Sequence, residues 1–212
     1  MINLEEFPNG IKIFQAPEYK FTKDSIDLAK FCNISSNDNV LELCSGCGVI
    51  SFYAYDIKSF NTLYLNELQN NFYEAIEKNI ELNNLQAKAF LLKGDLKNLK
   101  SCDFDKKFDV IICNPPYYKY NNEEKSVYNT CRREIKITLK EIIQKASELI
   151  KDKGKFYICI TAERSAELLG ELYLNNFMAK RIRYLKNEKD EVYLILVESR
   201  FNGNIGTAIE MG

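Results

Sequence analysis

The sequence predicts an α/β fold: a doubly wound, mostly parallel sheet of seven strands, preceded by a short N-terminal helical extension. Two patterns carry that expectation. From residue 40 onward, segments of β character alternate with segments of helical spacing, which is how parallel strands joined by crossover helices read. The strand segments are also short, continuous apolar runs, as strands need when both faces are covered. With 212 residues and 46% apolar content, the chain can bury one sizeable core, so a single domain over residues 1–212 is expected.

Within the extension, residues 1–36, Lys23–Asn33 reads as a helix with Ile26, Ala29 and Phe31 as its apolar positions. Val40–Leu43 is the first core strand and runs into a Gly-containing loop, followed by a helix over Val49–Asp56. Thr62–Leu65 is the second strand, and Gln69–Leu82 carries Phe72, Ile76 and Ile80 at helical spacing with charges between them. Ala87–Leu92 is the third strand and Phe108–Cys113 the fourth, wholly apolar from Val110. Ile137–Ile150 is a strongly amphipathic helix that Lys153-Gly154 is expected to stop. Phe156–Ile160 is the fifth strand and Ser165–Leu174 the next helix. Lys180–Lys186 and Val192–Glu198 close as an antiparallel pair around Asn187–Asp190. No repeat, low-complexity tract or Pro/Gly linker divides the chain.

Composition narrows the chemistry. His is absent, which removes the commonest general base and the commonest metal ligand together. The seven Cys, an odd number with most in apolar or mid-element surroundings, read as reduced thiols of a cytoplasmic protein rather than as a disulfide framework. No apolar run is long enough to span a bilayer, and the start MINLEEFPNG lacks a basic-then-apolar leader. Residues 1–113 carry a net charge of −4 and residues 114–212 a net +3, with all six Arg in the second part. That bias suits a substrate-binding half that meets phosphates, although ordinary surface scatter gives the same count.

The stretch Val40-Leu41-Glu42-Leu43-Cys44-Ser45-Gly46-Cys47-Gly48 is strand, acidic residue, tight loop and helix start. Glycines there let backbone approach a ligand that side chains would exclude. The order differs from the dinucleotide fingerprint, since an acidic residue lies on the strand itself and only Gly46 and Gly48 remain. A carboxylate in that place suits a ligand with an ammonium group and no pyrophosphate. Glu67 follows 19 residues after Gly48, at the end of the second strand, where an adenosine ribose is gripped through its hydroxyls. Asp95 ends the third strand, placed to receive an adenine amine. Cys44-x-x-Cys47 also has the spacing of a redox pair or half a zinc site, but zinc needs two more ligands and neither a second Cys-x-x-Cys nor a His exists. Two small residues in a tight loop is the simpler reading, and no metal is expected.

Asn114-Pro115-Pro116-Tyr117 follows the fourth strand directly. An exocyclic amine conjugated with its ring is a poor nucleophile. An Asn oxygen and a backbone carbonyl that each accept one of its hydrogens favour a pyramidal nitrogen whose lone pair faces a methyl donor. Pro115 rigidifies such a loop, and Tyr117 can stack on a planar target. A strand-ending turn also uses Asn and Pro, but the neighbouring acidic strand ends argue for a site.

The order of these segments resembles class I S-adenosylmethionine-dependent methyltransferases, with Cys44 where that family usually has the first loop Gly. The resemblance implies S-adenosyl-L-methionine as cofactor, a Rossmann-like methyltransferase fold, and residues 1–36 packing at the cofactor site. It implies that Glu42 and the loop residues Cys44, Ser45, Gly46 and Gly48 hold the amino-acid part, with Glu67 and Leu68 at the ribose and Asp95 and Leu96 at the adenine. Asp24 and Asn114 are expected to complete the cofactor site.

Asn114, Pro115, Pro116 and Tyr117 resemble the catalytic motif of amino-methyltransferases that act on base amines or on a glutamine amide. Gly10–Gln15, Tyr19–Phe31, Cys131-Arg132-Arg133-Glu134 and the stretch from Glu198 to Gly203 resemble the bacterial tRNA1(Val) adenine-N6 methyltransferase family. The resemblance spans essentially the whole chain. It implies methylation of adenine at position 37 of a tRNA anticodon loop by a cytoplasmic monomer or weak dimer.

An anticodon-loop base is already partly exposed, so extruding it costs less than from a duplex. Tyr118, Lys119, Tyr120, Arg132, Arg133, Arg164, Arg181 and Arg183 are the candidate RNA contacts. Three alternatives stand beside this reading. One is a release-factor glutamine N5-methyltransferase, which usually carries a helical N-terminal domain that this chain has no room for. The others are an rRNA guanine N2-methyltransferase and a non-catalytic RNA-binding module with a methyltransferase-like fold.

Overall fold

Eight strands form one sheet in the computed structural model, which describes residues 3–7, 10–16, 21–117 and 136–212. In chain order the first core strand is β3 (Asn39–Leu43), followed by helix α2 (Val49–Ile57), β4 (Thr62–Glu67), helix α3 (Tyr73–Leu82) and β5 (Ala89–Lys93). Next come β6 (Phe108–Cys113), helix α4 (Leu139–Leu149), β7 (Ile150–Thr161) and helix α5 (Ser165–Leu174). The chain closes with β8 (Phe177–Lys186), β9 (Val192–Phe201) and β10 (Ala208–Met211). Ahead of the sheet lie a two-stranded antiparallel hairpin, β1 (Asn3–Glu6) with β2 (Lys12–Gln15), and helix α1 (Lys23–Phe31).

The sheet order is β10-β8-β9-β7-β6-β3-β4-β5, and only the two pairings of β9 are antiparallel. The chain steps outward from β3 to β4 and β5, then returns to the other side of β3 with β6. In open α/β sheets a ligand crevice opens beyond the strand ends at such a reversal.

Side chains alternate between two apolar layers. Val40, Val110, Ile112, Tyr157 and Cys159 face the layer containing residues of β2, α1, α2 and α3. Leu41, Leu43, Ile111, Cys113, Phe156 and Ile158 face the layer containing residues of α4 and α5. Both faces of the central strands are therefore buried, which explains their unbroken apolar runs. Helix α4 begins with a capping box: Thr138 Oγ1 accepts the Glu141 N–H, and the Glu141 carboxylate accepts the Thr138 N–H at 2.8 Å.

Three expectations need correction. Among the described residues the sheet has eight strands, not seven. The added β10 leaves Ile209 and Met211 exposed and is clipped to β8 by Arg183–Glu210 at 2.7 Å, so no apolar run announces it. The extension is a hairpin plus a helix rather than helical alone, because β1 and β2 are four residues each and largely polar. Lys153-Gly154 does not stop α4, which ends at Leu149; Lys153, at φ 59°, lies inside the long strand β7. Among the described residues no helix is long and apolar enough to cross a membrane.

Candidate active site

A cleft opens at the carboxyl ends of β3, β4, β5 and β6. The open space within it, mouth included, is about 960 Å³. Of the residues singled out from the sequence, Glu42, Cys44, Ser45, Gly46, Glu67, Leu68, Asp95, Leu96, Asn114 and Pro116 all line it.

The turn after β3 explains this gathering. Cys44, Gly46 and Gly48 all have left-handed backbone, at φ 56°, 53° and 77°. Cys44 holds a conformation that costs an L-residue about 1–2 kcal/mol. At Gly48 a Cβ would lie 2.6 Å from the Phe52 ring and 3.2 Å from Leu65, whereas at Gly46 it would meet nothing within 4 Å. Gly48→Ala is therefore expected to cost about 2–4 kcal/mol of stability, strain and overpacking together. Gly46→Ala should cost only about 1–2 kcal/mol, its methyl entering the cleft. Urea denaturation of the two variants checks the contrast.

Each acidic residue has a distinct setting. Glu42 is buried on the α1–α3 side of β3, where the Ser51 N–H donates to it at 3.1 Å. Burial pushes its pKa up to about 8, and the nearby Glu67 carboxylate adds to the rise. Glu67 ends β4 and accepts the N–H groups of Gly46 and Gln69, each at 2.8 Å. Burial still pushes its pKa up to about 6 against those bonds. Asp95 is half-buried, caps a short 3-10 turn by accepting the Lys97 N–H at 2.9 Å, and has the Lys97 ammonium 3.5 Å away. Ser45 Oγ is buried in the cleft wall with no hydrogen-bond partner among the described residues.

Leu43 and Cys113 stand in register across β3 and β6, so the next residues, Cys44 and Asn114, are neighbours at the strand-order reversal. Asn114 Nδ2 donates to Ser25 Oγ at 3.2 Å. Asn114 Oδ1 accepts the Cys159 thiol at 3.1 Å and the Tyr117 hydroxyl. The Tyr117 hydroxyl also lies 3.4 Å from Cys159 Sγ, whose pKa burial pushes up to about 12.

Several expected positions fall elsewhere. Asp24 is not part of the cleft wall; its carboxylate accepts the Tyr193 hydroxyl at 2.8 Å and the Thr22 hydroxyl at 3.1 Å. Gly48 supports the turn from behind, where it gives room to Phe52. Pro115 is buried and not part of the cleft wall, and Tyr117, half-buried and also outside that wall, packs against the α1–α3 apolar layer.

Tyr118, Lys119, Tyr120, Arg132 and Arg133 lie outside the described residues. The three other Arg candidates are engaged by carboxylates of the protein itself. Arg164 is 6% exposed, grips Glu167 at 2.8 and 3.0 Å, and donates to the Tyr117 carbonyl at 2.9 Å. Arg181 pairs with Glu198 at 3.0 Å and Arg183 with Glu210 at 2.7 Å, and both guanidinium groups lie over the Phe31 ring. Arg164 thus braces the loop after Asn114, while Arg181 and Arg183 brace the sheet edge.

The sequence reading missed Phe21, Asn66, Gln69, Phe72, Lys136 and Ile137 as cleft residues. Gln69 had a signal, two positions after Glu67. Phe21 had only the coarse signal that residues 1–36 pack at the cofactor site, since the chain before α1 brings it in from outside the sheet.

A family model for the methyltransferase small domain matches residues 21–193. The chain belongs to that family. This methyltransferase is 29% identical over 206 residues to a tRNA1(Val) (adenine(37)-N6)-methyltransferase of Flavobacteriaceae bacterium (strain 3519-10), covering 91% of this chain and 82% of the relative. It is 24% identical over 187 residues to a release factor glutamine methyltransferase of Streptococcus pneumoniae, covering 84% and 64% of the two chains. Among solved structures it resembles TYW2 of Methanocaldococcus jannaschii in complex with AdoMet, with a TM-score of 0.67 at 16% identity over 94% of this methyltransferase and 85% of that chain. That likeness shows the shared fold.

Proposed function

We propose that the chain transfers the methyl group of S-adenosylmethionine to the exocyclic amine of adenine in tRNA, at position 37 of the anticodon loop, as a cytoplasmic monomer or weak dimer. One observation carries the reading. Asn114 stands at the tip of β6 beside Cys44, in the same cleft as Glu42, Glu67 and Asp95. Relatives named tRNA1(Val) (adenine(37)-N6)-methyltransferase over most of this chain support the substrate.

The cleft's chemistry suits that cofactor. Glu42 offers a buried carboxyl to a cationic amino-acid end, and the unpartnered Ser45 hydroxyl and open Gly46 give that end a polar, uncrowded seat. Glu67 is in place to accept the ribose hydroxyls, Asp95 the adenine amine, and Phe21 contributes an aromatic wall from the N-terminal extension. The cofactor supplies a methyl group on a sulfonium, a strong electrophile that needs no metal.

The protein's task is then orientation. Asn114 Oδ1 and a backbone carbonyl of the Asn114–Pro116 segment each accept one hydrogen of the substrate amine, turning the nitrogen lone pair toward the methyl. The amine displaces the Tyr117 hydroxyl from Asn114, and that hydroxyl keeps Cys159 Sγ at 3.4 Å as its partner. With the cofactor bound, the N–C bond would form as the methyl's bond to sulfur breaks, leaving a neutral thioether, and the nitrogen's surplus proton would pass to solvent.

Incubation with labelled cofactor and either unmodified tRNA or release factor tests the reading. Nucleoside analysis should give N6-methyladenosine at position 37. Label on the release factor or in guanosine would overturn the substrate, and no cofactor binding at millimolar concentration would overturn the enzyme reading itself.

A further inference from the structure

Asn79 lies in the middle of α3 and is fully buried on a face otherwise filled by Ala75, Ile76 and Ile80. A buried amide must satisfy an acceptor and two donor hydrogens, and Asn79 satisfies all of them outside its own helix. Its Oδ1 accepts the Phe14 N–H at 2.7 Å. Its Nδ2 donates to the Phe14 carbonyl at 2.9 Å and to the Cys47 carbonyl at 3.0 Å.

The amide therefore pairs with Phe14 as a neighbouring strand would. Two residues on, the Ala16 N–H points at Cys47 Sγ from 3.3 Å. Between them Gln15, also buried, accepts the Phe21 N–H at 3.1 Å, and Phe21 forms part of the cleft wall. One side chain thus ties the β1–β2 hairpin to the glycine loop at Cys47, between the left-handed Gly46 and Gly48.

An aliphatic residue would fill this place without needing any partner, since an amide is costly to bury unless fully bonded. What the amide adds is a fixed direction for the Cys47 carbonyl, and with it the plane of the Cys47–Gly48 peptide, whose Gly48 N–H closes the loop on the Ser45 carbonyl at 2.7 Å; within that loop the Gly46 N–H donates to Glu67. We propose that Asn79 is a positioning residue for the cofactor, making hairpin order and cofactor binding a single coupled event. The inference rests on the reading that this cleft holds S-adenosylmethionine.

Hydrogen exchange on the wild-type protein, with and without S-adenosylhomocysteine as an unreactive probe, reads the coupling directly. The Phe14 and Ala16 amides should slow on binding together with that of Gly46, while those of the β8–β9 turn around Asn187 stay unchanged. Asn79→Ala and Asn79→Asp should weaken the probe's binding about tenfold or more and uncouple the hairpin. At saturating cofactor their kcat should stay within about threefold of wild type, since uniform binding rather than the transition state is affected.

Probe binding without any change at Phe14 and Ala16 overturns the proposal, and so does a folded Asn79→Ala variant that binds as tightly as wild type. If that variant fails to fold, the wild-type exchange measurement decides alone. A wild-type protein that does not bind the probe sinks the cofactor reading, and the proposal falls with it.

Discussion

Asn114→Ala is expected to lower kcat for methyl transfer by about a hundred- to a thousandfold, the loss seen when one preorganised hydrogen-bonding group is removed from a reacting centre. The substitution deletes the acceptor that draws a hydrogen of the substrate amine out of conjugation. It also frees the Tyr117 hydroxyl and the Cys159 thiol, which keep each other at 3.4 Å, but takes from the buried Ser25 Oγ its bond to Asn114 Nδ2. Stability should fall by about 1–3 kcal/mol, the cost of that unpaired hydroxyl. Cofactor affinity should stay within a few-fold, because Glu42, Glu67 and Asp95 belong to other strand ends. Single-turnover rates with bound tRNA and calorimetry with cofactor separate the two effects. Transfer near the wild-type rate would show that the amine is oriented by something else.

The second large effect concerns Glu42. Its carboxyl is expected to stay protonated in the folded cofactor-free protein up to about pH 8, and to ionise near 4.5 once the chain unfolds. A raised folded-state pKa means that the native state binds the extra proton. The stabilisation it provides is full below the unfolded value and is lost as pH rises through about 8. Between pH 6 and pH 9 this one group should remove about 2–3 kcal/mol from the stability of the cofactor-free protein. Glu67 acts with the same sign over a lower window, ending near 6.

Glu42→Gln keeps an acceptor for the Ser51 N–H and cannot ionise, so it should flatten the pH dependence and leave the variant the more stable form at pH 9. Cofactor binding should respond in the opposite sense. A cationic ligand favours the carboxylate, so wild-type affinity should rise toward pH 8 and binding at pH 7 should release protons. Calorimetry in buffers of different ionisation enthalpy measures that release. Parallel stability curves for wild type and Glu42→Gln from pH 6 to pH 9 would contradict the assignment.

Much of the layout was legible in the sequence, because central strands buried on both faces leave long apolar runs and helices packed on them leave a 3.6-residue rhythm. Phe108–Cys113 and Ser165–Leu174 appear with the bounds their residues suggest. Edges were harder to read. Strands β1 and β10 bury little, and the short β2, although its Ile13 and Gln15 are buried, is fixed like β10 by polar contacts, Asn79 on Phe14 and Glu210 on Arg183, which leave no periodic trace. The acidic strand ends could be read because chemistry dictates their residue types. The commitments of Arg164, Arg181 and Arg183 could not, because a guanidinium bound to phosphate and one bound to a carboxylate look alike in a sequence. Lys136 joins the cleft through tertiary folding alone, and Phe21 was foreseen only as part of an extension packing there.

The place where the sheet reverses its order lies between Leu43 and Cys113, two residues far apart in the chain and side by side in space. Most of the donor half of the site is encoded before that seam, on β3 to β5 and the turns after them. Asn114, the side chain proposed to orient the acceptor, comes directly after it, and residues 114–212 carry a net +3 where residues 1–113 carry −4. On the proposed reading, a lineage can exchange the molecule being modified by rewriting text after residue 113 while leaving most of the machinery for handling the donor intact.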